Sequence, residues 1–179
     1  MKAVTGIILA GGKSRRMGTD KGLMPFCGKP MIQPVIEPMA KVCQRMLVVT
    51  SNEKYTMFGL EIVKDEQPDY GPVMGILSGL RQSTTELNLI LSCDTPFVGF
   101  ELMNELVLKS DQAAVFAACS RERIHPLIAV YKRGCISTFE NSVLQDEHRL
   151  RTVLKSLKVE VLDVKNERFV RNINALEDL

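Results

Sequence analysis

Two short stretches carry residue types that together could handle a phosphate and a metal ion. The first is Leu9-Ala10-Gly11-Gly12-Lys13-Ser14-Arg15-Arg16-Met17-Gly18-Thr19-Asp20-Lys21. Adjacent glycines let a backbone come close to a ligand, and successive amide N–H groups in such a turn form a concavity for an anion. Lys13, Arg15, Arg16 and Lys21 crowd positive charge into the same segment, with one acid, Asp20, among them. The apolar run from Val4 to Leu9 reads as a short buried strand, and a strand feeding a glycine-rich basic loop presents phosphate sites at the carboxyl edge of an open α/β sheet. A solvated loop that only turns the chain is the competing account of the same residues. The second stretch is Cys93-Asp94-Thr95-Pro96-Phe97, directly after the apolar run Leu87 to Ser92. A carboxylate there stands at the same edge, and Mg²⁺ is commonly held by one or two carboxylates plus substrate phosphates. Asp94 as the N-cap of a following helix is the plainer alternative.

Neither common phosphate-loop pattern fits the first stretch. Gly12-Lys13-Ser14 supplies the end of a Walker loop, but its first glycine would fall on Ile7, with Gly6 one residue away. The dinucleotide pattern Gly-x-Gly-x-x-Gly is absent. The stretch instead resembles the signature Leu-Ala-Gly-Gly-x-Ser-x-Arg-Met-Gly-x-Asp-Lys of the molybdenum cofactor guanylyltransferases. These are nucleotidyltransferases that bind a nucleoside triphosphate on a Rossmann-like sheet. Cys93 to Phe97, His125-Pro126-Leu127 and Phe169-Val170-Arg171-Asn172-Ile173-Asn174 extend the resemblance from Leu9 to Leu179.

The resemblance implies transfer of GMP from GTP to the molybdenum–molybdopterin cofactor, with release of diphosphate. It implies that Leu9, Ala10, Gly11, Gly12, Lys21, Asp65 and Asp94 contact the nucleotide, that Asp94 holds Mg²⁺, and that Arg16, Lys21 and Asp94 promote the transfer. Asn172 and Asn174 would contact the acceptor; two apart on an extended segment, they point to one face. Asp65, ahead of Gly71-Pro72-Val73-Met74-Gly75-Ile76, could equally be a turn residue bonding its own backbone. The family often has an asparagine after the second strand, where this chain has Thr50, with Asn52 two residues on. His125 would shape the far side of the cleft, and Arg149 and Arg151 resemble basic residues that face the acceptor's phosphate. Ala175-Leu176 replaces the family's Thr-Pro near the end. The alternatives are a cytidylyltransferase for the same cofactor, another small-molecule nucleotidyltransferase, or a nucleotide-binding regulator without turnover. Lys21 and Asp94 together favour turnover, since binding alone needs no metal carboxylate.

These residues must be positioned by elements that the apolar pattern outlines. Strands are expected at Val4–Leu9, Met46–Val49, Ile62–Val63, Leu87–Ser92, Ala113–Ala118, Leu127–Tyr131 and Val159–Val164. Helices are expected over Met31–Cys43, interrupted by Pro38, and over Val73–Leu80, Glu101–Lys109, Ile136–Leu144 and Arg149–Leu157. Strands alternating with helices predict an α/β fold, a Rossmann-like, mostly parallel central sheet with helices on both faces, in one nucleotidyltransferase domain spanning residues 1–179. The 179 residues are 45% hydrophobic and 25% charged with a net charge of +2, so no global charge points to nucleic acid or an anionic membrane. No apolar run approaches the ~20 residues that span a bilayer. The expected location is cytoplasmic, and the expected protein partners are those that deliver the cofactor and the apoenzymes that receive it. The five cysteines are scattered without a Cys-x-x-Cys pair, so neither a zinc site nor a disulfide framework is expected.

Overall fold

A computed structural model describes residues 2–11, 20–64 and 70–173. At its centre is β1 (Val4–Leu9), buried at every position. Burial on both faces is what a run without polar alternation means in a central parallel strand. Around β1 the chain lays down β4 (Arg45–Val49), β5 (Glu61–Val63), β6 (Leu87–Ser92), β7 (Val115–Ser120), β8 (Arg123–Lys132) and β9 (Val159–Asp163). They form a seven-stranded sheet in the order β5-β4-β1-β6-β8-β7-β9. Leu9 is in register with Val49 on one side and Ser92 on the other, so β1, β4 and β6 all end at the same edge. β8 runs against both its neighbours, β6 and β7, while every other pairing is parallel. The mostly parallel sheet expected from the sequence is therefore present, with one reversed strand.

Helices α1 (Gln33–Met39) and α3 (Phe100–Lys109) cover one face, over Ile8, Val48, Leu89 and Leu91. Helices α2 (Pro72–Gln82), α4 (Ile136–Leu144) and α5 (Leu150–Leu154) cover the other, over Ile7, Leu47, Ile90 and Tyr131. The close seat of α2 rests on Gly79, where a Cβ would come within 2.6 Å of Ile7 Cγ2. A small antiparallel ribbon, β2 (Pro25–Phe26) with β3 (Lys29–Pro30), follows the first loop; its turn holds the exposed Cys27 in a left-handed conformation, φ 50°.

Several elements differ from expectation. α1 is shorter than Met31–Cys43 and ends at Met39, one residue past Pro38. Pro38 has no N–H to give back to residue 34, and falling in the last turn it costs one bond rather than breaking a helix. β8 begins at Arg123, not Leu127, because its first half pairs with the end of β7 across a register shift at Ala117/Ala118. α5 covers only Leu150–Leu154 of the expected Arg149–Leu157. Among the described residues, no helix is long and apolar enough to cross a membrane. Cys43, Cys93, Cys119 and Cys135 are buried free thiols, and burial pushes Cys43 up to about 12 and Cys135 up to about 11.

Candidate active site

The carboxyl edge of β1, β4 and β6 collects most of the described residues singled out from the sequence. Past Leu9 the backbone continues in hydrogen bonds to both neighbours. Ala10 N–H donates to Val49 O and Cys93 N–H to Leu9 O, each at 3.0 Å. Leu9 and Ala10 are buried, whereas Gly11 is exposed at the mouth of the edge. Gly12 and Arg16 lie outside the described residues, as do Asp65 and Asn174.

After β6 the chain turns sharply: Thr95 Oγ1 donates to Ser92 O at 2.7 Å and Thr95 N–H to the same oxygen at 3.3 Å. That turn sets Asp94 at the edge, only 8% exposed. Asp94 does not cap a helix, because α3 starts at Phe100 with Gly99 as its N-cap. Its Oδ1 accepts from Asn172 Nδ2 at 2.8 Å and its backbone O from Ile173 N–H at 2.9 Å. Its Oδ2 faces Lys21 Nζ at 3.6 Å. Residues from three distant parts of the chain thus meet on one carboxylate. Asn172, read from the sequence as facing the acceptor, has its amide on Asp94.

The neighbouring segment is held by a different carboxylate. Asp20 caps the short 3-10 helix Lys21–Leu23, its Oδ1 accepting from Gly22 N–H at 3.1 Å. The same oxygen accepts from the Tyr55 hydroxyl, and Oδ2 accepts from Asn52 Nδ2 at 2.9 Å. Asn52 in turn caps the 3-10 helix Glu53–Phe58 through Lys54 N–H and donates its own N–H to Thr50 Oγ1 at 3.1 Å. Tyr55 is wholly buried. Burial, then the proximity of Cys93 and Asp20, pushes its hydroxyl far above the usual phenol range, so it stays a proton donor. Burial and the Asp94 carboxylate likewise push the Cys93 thiol up, against the opposing pull of Lys21. Tyr55 went unnoticed in the sequence. It is one aromatic in a polar stretch, and nothing local announces its partner. Asp20 had a local sign, an Asp immediately before a short turn, where a cap is common.

The second stretch is also braced from the side. Phe97 packs edge-on to Phe26 of the ribbon, with ring centroids 5.7 Å apart, and the Arg168 guanidinium lies 5.3 Å over its face. This ties Cys93–Phe97 to the segment leading into Asn172. His125 stands at the same end of the sheet on the reversed β8, its Nε2 2.8 Å from Ser120 Oγ. Burial and the nearby Arg123 lower its pKa, favouring the neutral ring. Arg149 is exposed and paired with Glu147, and Arg151 is exposed on α5. Neither is brought to Asp94 by any described contact.

The residues at this edge suit an anionic ligand and a hard cation: an open backbone after a buried strand, a lysine, and a carboxylate with a fixed orientation. Among the described residues no group of three or more His, Cys, Asp or Glu side chains converges. Within that set a metal would depend on Asp94 together with oxygens from a bound ligand, the usual arrangement for Mg²⁺ with phosphates.

Residues 6–161 match the family model described as the MobA-like NTP transferase domain. A Flavobacterium johnsoniae protein named "Probable molybdenum cofactor guanylyltransferase" is 34% identical over 100% of this chain and 96% of its own. The Haemophilus influenzae (strain 86-028NP) molybdenum cofactor guanylyltransferase is 31% identical over 98% of this chain and 95% of its own. The structure of molybdopterin-guanine dinucleotide biosynthesis protein A from Archaeoglobus fulgidus shares the fold, with a TM-score of 0.78 at 24% identity, covering 97% of this chain and 94% of that one. Similarity of this extent, along nearly the whole length of both partners, makes the chain a member of the MobA-like NTP transferase family and hence a nucleotidyltransferase.

Proposed function

We propose that this protein transfers GMP from GTP to the molybdenum–molybdopterin cofactor, forming the guanine dinucleotide cofactor and releasing diphosphate. The observation that carries this reading is the meeting of Lys21 and Asp94 at 3.6 Å, across the loops that follow β1 and β6, beside the open backbone at Gly11. The names of the relatives supply the substrates.

No protein nucleophile is needed. An oxygen of the acceptor's phosphate attacks the α-phosphorus of GTP, a new P–O bond forms, and the bond to the β-phosphate oxygen breaks in line. The protein holds both partners in that geometry and stabilises charge as it develops. Backbone N–H groups of Gly11 and Gly12, with Arg16, cradle the triphosphate. Lys21 neutralises the departing diphosphate. Leu9, Ala10 and Asp65 contact the nucleotide. Asp94 would hold Mg²⁺, which when bound neutralises phosphate oxygens and polarises the reacting phosphorus. Asn172 fixes the orientation of Asp94, and Asn172 and Asn174 contact the acceptor. Free cysteines and a cytosolic triphosphate suit a cytoplasmic enzyme. Its product passes to apoenzymes, and a delivery protein supplies its acceptor.

Diphosphate release measured with each of the four triphosphates, with and without acceptor and Mg²⁺, tests this reading. The expected result is release with GTP only when acceptor and metal are both present. Preference for CTP would reassign the protein to a cytidylyltransferase of the same cofactor. Binding without release would leave a nucleotide-binding regulator.

A further inference from the structure

Lys21 is separated from its opposite number, Asp94, by nothing rigid of its own, since a lysine side chain has four rotatable bonds. What is rigid is the residue before it. Among the described residues, the Asp20 carboxylate accepts three hydrogen bonds: Gly22 N–H and the Tyr55 hydroxyl on Oδ1, and Asn52 Nδ2 on Oδ2. Two of these donors belong to the segment after β4, and Asn52 is itself tied to Thr50, whose N–H donates to Val63 O at 3.0 Å. A continuous set of hydrogen bonds therefore runs from the β4–β5 edge to the turn that carries Lys21. Gly22 completes it. A Cβ at that position would collide with the Tyr55 hydroxyl and stand 3.2 Å from Cβ of Cys93, so the turn can lie against Tyr55 only with glycine there.

We infer that Tyr55, acting through Asp20, is the positioning residue that holds Lys21 opposite Asp94. Tyr55 touches no substrate; it fixes the carboxylate that caps Lys21–Leu23, and so fixes where the lysine chain departs from the backbone. With three donors of the protein on its oxygens, Asp20 keeps less capacity for a metal than Asp94 does. The inference rests on the proposed role of Lys21 in the transfer.

The test is a double-mutant cycle of wild type, Tyr55→Phe, Lys21→Ala and the double variant. Single-turnover diphosphate release, thermal melting and amide exchange at Gly22 are read on all four. Tyr55→Phe is expected to slow transfer about tenfold, to lower Tm by no more than ~4 °C, and to speed Gly22 exchange at least tenfold. In the Lys21→Ala background the same substitution should change the rate less than twofold, since the group being positioned is gone. An equal loss in both backgrounds, or a Tyr55→Phe rate within twofold of wild type, overturns the inference. If wild type itself releases no diphosphate from any triphosphate, the proposed function fails. Gly22 exchange in the free protein then decides separately: accelerated exchange upholds the Tyr55–Asp20 anchor, and unchanged exchange removes it.

Discussion

Asp20 and Asp94 are the same side chain on two loops at one end of one sheet, yet their surroundings treat them in opposite ways. Asp20 accepts three hydrogen bonds from described residues, namely Gly22, Tyr55 and Asn52. Among the described residues, Asp94 takes one side-chain hydrogen bond, from Asn172, and faces an ammonium at a looser 3.6 Å. An ionised carboxylate offers about four lone-pair positions. Three are filled at Asp20, whereas Asp94 keeps capacity on the oxygen turned toward Lys21. Asp20 is half-buried and Asp94 buried, so greater exposure is not what leaves Asp94 available. The inventory of donors does. The difference assigns architecture to one carboxylate and leaves the other available for chemistry.

The sharpest way to break that contrast is Asp94→Asn. Turnover should fall about 10³-fold, ~4 kcal/mol of barrier, while the melting temperature stays within ~3 °C of wild type. Steady-state kinetics beside a thermal melt checks it, and activity within tenfold of wild type would put Asp94 in the same class as Asp20. The converse change, Asp20→Ala, should be felt first in stability. It removes a cap and strands the buried Tyr55 hydroxyl, a loss of about 2–3 kcal/mol, or roughly 5–10 °C in Tm. A urea titration measures it directly, and an unchanged midpoint would deny Asp20 its architectural part.

Lys21→Ala comes next, with transfer slowed about 10–100-fold, ~1.4–2.7 kcal/mol, because a fixed cation acts most strongly as the leaving group gains charge. Lys13→Ala should stay within threefold, and equal losses in the two would mean that the loop supplies only general positive charge. A smaller effect than that of Lys21→Ala is expected for Asn172→Ala. Loss of its amide frees Asp94 to rotate, which should raise the Mg²⁺ concentration for half-maximal rate about tenfold with little change at saturating metal. If instead only the acceptor KM rose, Asn172 would belong to the acceptor side alone.

The sequence disclosed the two central strands that matter most. Val4–Leu9 and Leu87–Ser92 were read with the bounds the structure has, because strands buried on both faces are continuous apolar runs. The direction of β8 was not legible, since residue patterning encodes which face is buried and not which way a strand runs. Its first half also escaped notice: Arg123 and Ile124 are exposed there and look like part of the preceding turn. In the site, Lys21 and Asp94 were legible through local context, a glycine-rich basic loop and a carboxylate after a strand. The pairing of Asn172 with Asp94 and of Tyr55 with Asp20 was not. Each joins residues far apart in the chain, and only the folded sheet edge brings them within reach.

The left-handed turn of the β2–β3 ribbon has a practical consequence. Cys27 is exposed there, while the other four cysteines are buried, Cys43 and Cys135 with thiols pushed well above neutral pH. A thiol-reactive dye at neutral pH should therefore attach at one position in the native protein. That position adjoins Phe26, whose ring rests on Phe97 in the Asp94 loop. Without any engineered substitution, the wild-type chain offers a site for a fluorophore close enough to register, in real time, what happens when ligands arrive at the sheet edge.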